Sequence, residues 1–497
     1  MVKSINKASL NYTVGLLLAV LSGIMMYIER IIFVSHFGLE YVGLSSLFEN
    51  TFLILSAFDI GVNTYLLNYL VSSVKKGRED EIRGSLSVVR TYYTFISLII
   101  FTLGVILSFF IPLLTKNEID KRASLFFLIY LVGNLSQYLF GSSILLLSSY
   151  ERNYVVSSFV QGGRVIQYLV SIFVILKGGD YLLYIAISSL ITFLSYLFLS
   201  LKSRADYPFL NGKEKKVIEE DKRKVEKNIL GMTFHRGSSL FFRSFEPIMV
   251  SLIFGSFCAG LYSNYLLLSN ALLTPFWIFQ STVTPSIAIK YLDNSREENL
   301  KLYKKLVYIN YIASLFVSIV YLLSVRLYIS FSYGEVYLLD SSYNALLGFL
   351  LFLSSCRTSS LIFRDASAVY TSDWLKALIE VVVTIVLSFV LTPRLGLIGL
   401  PLAFIISYLT IVIWRENKTV MEYSLKDGSW TFISKESLLV ALSLLILVGV
   451  WYITEYFSLL KAIILSLLVF FSVLLIWFSF DKEASKIIII KKDSRNE

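Results

Sequence analysis

Fourteen apolar stretches, most of them about 20 residues long, fill this chain, and that is the length a helix needs to cross a bilayer. They run over residues 10–34, 44–70, 91–113, 124–148, 155–177, 181–201, 228–254, 260–289, 306–330, 342–363, 375–393, 397–414, 438–455 and 459–480. With 56% hydrophobic and 16% charged residues, the 497-residue chain lies far from soluble averages. None of the stretches alternates in the ten-residue manner of a membrane barrel. The first is too long for a signal-peptide core and lacks a small-residue cleavage site, so it counts as a helix. The expected fold class is an all-α polytopic membrane protein with about 14 transmembrane helices.

Lysine and arginine set the orientation. With the amino terminus inside, the inner loops and tails, with the segment ends beside them, hold 33 of the 45 Lys and Arg residues and the outer ones hold 8. The expectation is a multi-pass protein of the cytoplasmic membrane with both termini cytoplasmic. The net charge of +10 then reflects topology, and no nucleic-acid partner is expected. Cys258 and Cys356 have neither disulfide-framework nor metal-ligand spacing, and with two histidines no metal site and no cofactor are expected. The sequence contains no Ser/His/Asp set, no Walker loop and no phosphate-cradling glycine motif, so it does not read as an enzyme. A membrane glycan polymerase or acyltransferase is the reading from another class. It is opposed by outer loops of only about four to twelve residues, too short to carry glycan chemistry on a surface.

Setting aside the segment ends already counted with the loops, four arginines (Arg164, Arg236, Arg243, Arg357) fall inside apolar segments. Arg236 and Arg243 are two helical turns apart and project from one face. A centred arginine costs roughly 3 kcal/mol on insertion scales, so that face turns from lipid toward a bundle interior or a watery cavity. Arginine's planar fork suits phosphate oxygens, which makes an anion-facing lumen the functional reading. Pairing with buried carboxylates such as Glu246 or Asp59 is the structural alternative. Arg164, near the middle of its segment and flanked by Gln161, Gly162, Gly163 and Gln167, is the amino-terminal counterpart. Arg357 lies nearer a segment end, where snorkelling to headgroups is the alternative.

The chain also repeats itself. Laid ungapped at an offset of 217, residues 29–48 meet 246–265 with seven identities of twenty: Glu29/Glu246, Ile31/Ile248, Phe37/Phe254, Gly38/Gly255, Gly43/Gly260, Leu44/Leu261 and Ser46/Ser263. The long polar interruptions at 202–227 and 415–437 divide the helices into six, six and two. The expected organisation is an amino-terminal lobe (1–201), a cytoplasmic linker (202–227), a carboxy-terminal lobe (228–414), a cytoplasmic loop (415–437), an added helix pair (438–480) and a cytoplasmic tail (481–497). An even number of helices per unit makes the two lobes parallel repeats, with substrate between them.

Several motifs fall on this frame: F-G-x-E-Y-x-G-L at Phe37, Gly38, Glu40, Tyr41, Gly43 and Leu44; D-I-G-V at Asp59–Val62; R-T-Y-Y at Arg90–Tyr93; and P-R-L-G-L-I-G-L-P-L-A at 393–403. Together they resemble the polysaccharide-biosynthesis oligosaccharide flippases, the Wzx-type branch of the multidrug/oligosaccharidyl-lipid/polysaccharide exporter (MOP) superfamily. The resemblance covers essentially the whole chain. It implies a MATE-like, V-shaped fold of two six-helix lobes plus two helices. It also implies translocation of undecaprenyl-pyrophosphate-linked oligosaccharide repeat units for capsule, O-antigen or exopolysaccharide assembly. Alternating access would expose a cationic central cavity to each side in turn.

The expected substrate-binding residues are Arg236, Arg243, Arg164, Arg357 and Arg30, and the expected coupling or gating residues are Asp59, Glu29, Glu246 and Asn63. H+ or Na+ is the candidate coupling ion. The expected partners are the lipid-linked oligosaccharide, membrane lipid, and the polymerase and chain-length machinery of the same pathway. A lipid II flippase and a cation-coupled multidrug exporter are the alternatives within the superfamily. The carboxy-terminal lobe, with its surplus of arginines, is expected to do most of the phosphate binding.

Overall fold

A computed structural model describes residues 2–56, 60–116, 122–211, 244–367, 374–427, 430–457 and 459–480. Among them it is all-helical, and ten helices are long and apolar enough to cross a membrane. Their outward faces are apolar: Phe95, Leu98 and Phe101 on one helix and Leu438, Leu442 and Leu445 on another are all exposed. Such surfaces are stable only against hydrocarbon. The protein is a multi-pass membrane protein.

The chain divides into two compact units, Met1–Ser263 and Asn264–Glu497. In the first unit, α1 (Val2–Phe37) packs against α8 (Asn153–Leu176), α8 against α9 (Tyr181–Asp206), and α9 against α6 (Ala123–Leu139). Small residues allow these approaches. A Cβ on Gly133 would lie 2.6 Å from the Ser189 Cβ, and one on Gly163 would lie 2.7 Å from the Ser195 Cβ. The stretch expected as one span over 44–70 carries α2 (Leu39–Leu55) and α3 (Ile60–Lys76), with residues 57–59 between them outside the described set. The charged turn from α3 to α4 (Glu79–Ser108) has Lys75 and Lys76 at the end of one helix and Glu79, Asp80 and Glu81 at the start of the next, the signs each helix dipole favours. The 124–148 stretch likewise breaks at Phe140, between α6 and α7 (Gly141–Ser149).

The sequence repeat is visible in the backbone. Gly38 ends α1 with φ +81°, and its mate Gly255 ends α10 (Ser244–Phe254) with φ +87°. Both have a positive φ, which glycine reaches without a Cβ penalty. Five residues later the mates meet: α2 and the first turns of α11 (Ser256–Asp293) cross at Gly43 and Gly260. A Cβ on Gly43 would collide with the Ser256 carbonyl oxygen, and one on Gly260 with that of Leu39. Leu39 and Ser256 are themselves mates at the same offset, so the contact is reciprocal, as at a two-fold interface.

In the second unit, α12 (Arg296–Ser332) starts from a capping box in which Ser295 accepts from the Glu298 backbone and the Glu298 carboxylate accepts from the Ser295 backbone. It packs on α13 (Ser341–Cys356), α14 (Thr358–Ala366) and α18 (Trp430–Tyr456), and α18 pairs with α19 (Leu459–Phe480). α15 (Trp374–Leu395) turns into α16 (Gly399–Ser407), and the helix then continues through α17 (Ile413–Thr419) with π-helical stretches at Tyr408–Val412 and Val420–Ser424.

The glycine crossing is the tightest backbone approach between repeat mates in the described chain, and it is not one that a side chain can relieve. We expect Gly43→Ala and Gly260→Ala each to destabilise the protein by about 1–3 kcal/mol, the range of overpacking. The two losses should be similar because the contact is reciprocal. Thermal unfolding of detergent-solubilised protein measures both.

Candidate functional site

The amino-terminal unit gathers charge where a bilayer would not tolerate it unpaired. Arg164 lies eleven residues from the start of α8 and twelve from its end, and it is exposed. It is held there by the neighbouring Gly163, whose bare backbone packs on Ser195 of α9, whereas Gly162 faces open space. An exposed guanidinium at mid-span is costly against lipid. Gln167, one turn on, accepts from Thr192 at 3.2 Å and extends the polar strip.

A residue the sequence reading passed over joins this face: Glu49, on α2, is exposed and lies within electrostatic reach of both Arg30 and Arg164. Its signal was in the sequence, a carboxylate inside an apolar stretch, as for Glu29 and Asp59. Arg30, on α1, is partly buried and donates from Nη2 to the Ser263 hydroxyl at 2.5 Å, reaching from α1 to the start of α11. Beside it Glu29 is 6% exposed and accepts from the Tyr184 hydroxyl of α9 at 2.6 Å. Its repeat mate Glu246 is also buried, on α10, and has the Tyr262 hydroxyl as its neighbour. The two mates share burial and a tyrosine partner, but these tyrosines come from different elements.

Aromatic rings wall this charged group. Tyr181 and Tyr184 stack with centroids 5.8 Å apart, Tyr41 lies 4.6 Å from Tyr181, and Phe33 lies 5.0 Å from Tyr184. The Tyr181 hydroxyl is 3.0 Å from Ser45 Oγ. Tyr130 and Tyr168 sit within the field of Glu49 and Arg164. Rings with hydroxyl edges beside guanidinium groups offer flat faces and anion-binding donors side by side.

The structure therefore brings together Glu29, Arg30 and Arg164, adds Glu49, and places Glu246 in the same unit. Arg236 and Arg243 lie outside the described residues, as does Asp59. Asn63 lies on α3, with its side chain outside the described set. The face differs from the expected cationic cavity in one respect: its described part balances two arginines against Glu29 and Glu49.

Arg357, in the other unit, is placed differently from the expectation. It stands at the corner between α13 and α14, mostly buried. Nε donates to Glu416 at 3.0 Å, Nη2 donates to the second Glu416 oxygen, and Nη1 lies 3.7 Å from Glu380. The Tyr408 ring covers its guanidinium carbon at 5.0 Å. A bidentate pair of this kind leaves little of the fork for phosphate or headgroups. The carboxylate on α17 could not be foreseen as its partner from sequence, because 59 residues separate them.

No protein-family model matches the chain, and no curated protein does. Solved structures do match. An inward-facing multidrug-resistance transporter of the MATE family, in the MOP superfamily, superposes with a TM-score of 0.60 at 16% identity, over 81% of this chain and 95% of that one. The lipid II flippase MurJ in an inward closed conformation gives 0.61 at 16% identity, over 94% and 98%. This chain has a MATE-like fold. A MOP-superfamily transporter from Pyrococcus furiosus, described as having a binding pocket of reversed polarity, gives 0.56 at 16% identity, over 86% and 96%. Within the MATE-like fold the MurJ match is the more complete, since 94% of the chain cannot be reached without the helices after Ser424.

Two substitutions probe the described polar groups. Tyr184→Phe removes the donor to buried Glu29 and should cost about 1–3 kcal/mol in unfolding free energy. Arg357→Ala leaves Glu416 buried without its counter-ion and should cost about 3–5 kcal/mol, with Arg357→Lys recovering only part. Denaturation of the purified protein in detergent measures both.

Proposed function

We propose that this protein is a flippase that moves undecaprenyl-pyrophosphate-linked oligosaccharide repeat units across the cytoplasmic membrane for capsule, O-antigen or exopolysaccharide assembly. The observation that carries the reading is Arg164, exposed at the middle of α8 with Arg30, Glu49 and a tyrosine wall beside it. A pyrophosphate needs charged donors at mid-membrane depth, and its sugars gain from aromatic faces, while the polyprenyl tail stays in lipid. Arg236 and Arg243 would supply the net positive charge that the described face lacks. Arg164 and Arg30 are the other proposed substrate contacts. Glu29, Glu246, Asp59 and Asn63 are the proposed gating or coupling groups. Both termini are placed in the cytoplasm by the lysine and arginine distribution.

A lipid II flippase is the second reading, favoured by the fuller overlap with MurJ. The substrates share a polyprenyl pyrophosphate and differ in their sugars. Liposomes holding the full-length protein and a labelled lipid-linked oligosaccharide should show leaflet exchange, slowed about tenfold or more by Arg164→Ala, the scale of one lost charge-assisted contact. Arg236→Ala with Arg243→Ala should abolish polymer assembly in cells. Exchange of lipid II but not of oligosaccharide would select the second reading, and exchange of neither would sink both.

A further inference from the structure

The carboxy-terminal unit contains a buried carboxylate that the flippase reading leaves without a task. Glu436, on the second turn of α18, is 1% exposed, and neither of its carboxylate oxygens has a hydrogen-bond partner among the described residues. The nearby guanidinium is already committed, since Arg357 is held bidentate by Glu416 with Glu380 as its second carboxylate. Glu436 lies within reach of Cys356, as Arg357 and Glu416 do, but both of its oxygens are left without a hydrogen-bond partner among the described residues.

Among the described residues, the groups that face it are few. From α12, Tyr303 and Tyr311 lie within its electrostatic reach, and Lys304 stands a turn away with its ammonium 5.5 Å from the Phe432 ring. At the corner between α13 and α14, Cys356 lies within electrostatic reach of Glu436, and Arg357 and the α17 residue Glu416 lie within reach of Cys356. On its own helix Lys435 is exposed, and α19 contributes only Lys461, at its opposite end. The Tyr303 hydroxyl is engaged elsewhere, 3.0 Å from Ser360 Oγ and donating to Asn417 at 3.2 Å.

An ionised carboxylate without a partner is costly to keep out of water, whereas the same group as a neutral acid is tolerated. We propose that Glu436 is a proton-binding site of the carboxy-terminal unit, separate from the charged face around Arg164. One proton adds to one carboxylate oxygen, forming an O–H bond and removing one negative charge from the cluster. The bond breaks when the surrounding helices admit water. A metal cation fits less well, because hard cations take several oxygen ligands in one shell and the nearby Tyr303, Ser360 and Asn417 oxygens bond one another. The backbone beside the cluster has a point of adjustment: π-helical stretches flank Glu416 on both sides, and such bulges recur where helices shift register at functional sites.

The inference rests on the transport reading only for the use made of the proton, and binding can be read without it. Infrared difference spectra of the full-length protein in lipid nanodiscs, taken across a pH titration, should show the C=O band of a protonated carboxylic acid in an apolar setting. Glu436→Gln should lose that band, and Glu436→Asp should keep it at a shifted midpoint. A band left intact in Glu436→Gln overturns the proposal, as does a band that responds to sodium at fixed pH and not to protons. If Glu436→Gln does not insert, an unshifted midpoint in Glu436→Asp overturns it. In liposomes, Glu436→Gln should also lose the response of exchange to a pH gradient. Failure of the wild type to exchange any lipid-linked sugar would count against the flippase reading and leave the infrared result standing.

Discussion

A charge inside a hydrocarbon layer has to find a partner or water, and the placement of charges in both units follows from that constraint. In the amino-terminal unit Glu29 takes a tyrosine hydroxyl, Arg30 takes a serine, and Arg164 stays accessible in the field of Glu49. In the carboxy-terminal unit Arg357 and Glu416 satisfy each other in a buried bidentate pair. The same residue types therefore do opposite work. The mid-span arginine stays accessible, and the buried, paired one fixes the corner between two helices.

Close backbone approach is the second requirement. Between lipid-facing helices there is no water to drive association, so packing relies on small residues that let backbones meet. Gly163 seats α8 against α9 and so sets where Arg164 emerges, and the Gly43–Gly260 crossing brings repeat mates into register. A MATE-like fold made of repeats can keep such contacts while the side chains on the accessible face diverge. That is consistent with fold-level likeness to structures at only 16% identity.

Much of the fold was legible in the sequence because hydrocarbon imposes a length and a composition on every crossing helix. Each of the fourteen apolar stretches has helix among its described residues, and ten helices are long and apolar enough to cross. The repeat offset of 217 aligned Gly38 with Gly255, and both end helices with a positive φ. Less legible were the interruptions inside stretches, such as Phe140 and the corner at Arg357, because broken and continuous apolar helices have the same composition. Of the candidate site, the charges within apolar stretches were readable, but Glu49 gave a weaker signal than the arginines because a carboxylate can be neutralised by a proton and an arginine cannot. Long-range pairings such as Arg357 with Glu416 leave no local trace.

By itself, then, the sequence determined that the chain crosses a membrane many times as helices and that its first helices recur in its second half. Periodicity, length and hydropathy are local properties, and the bilayer reads them directly. Only the tertiary structure decided which intramembrane charges are spent on each other and which remain accessible. That choice depends on which helix faces meet, and facing surfaces are assembled from residues far apart in the chain.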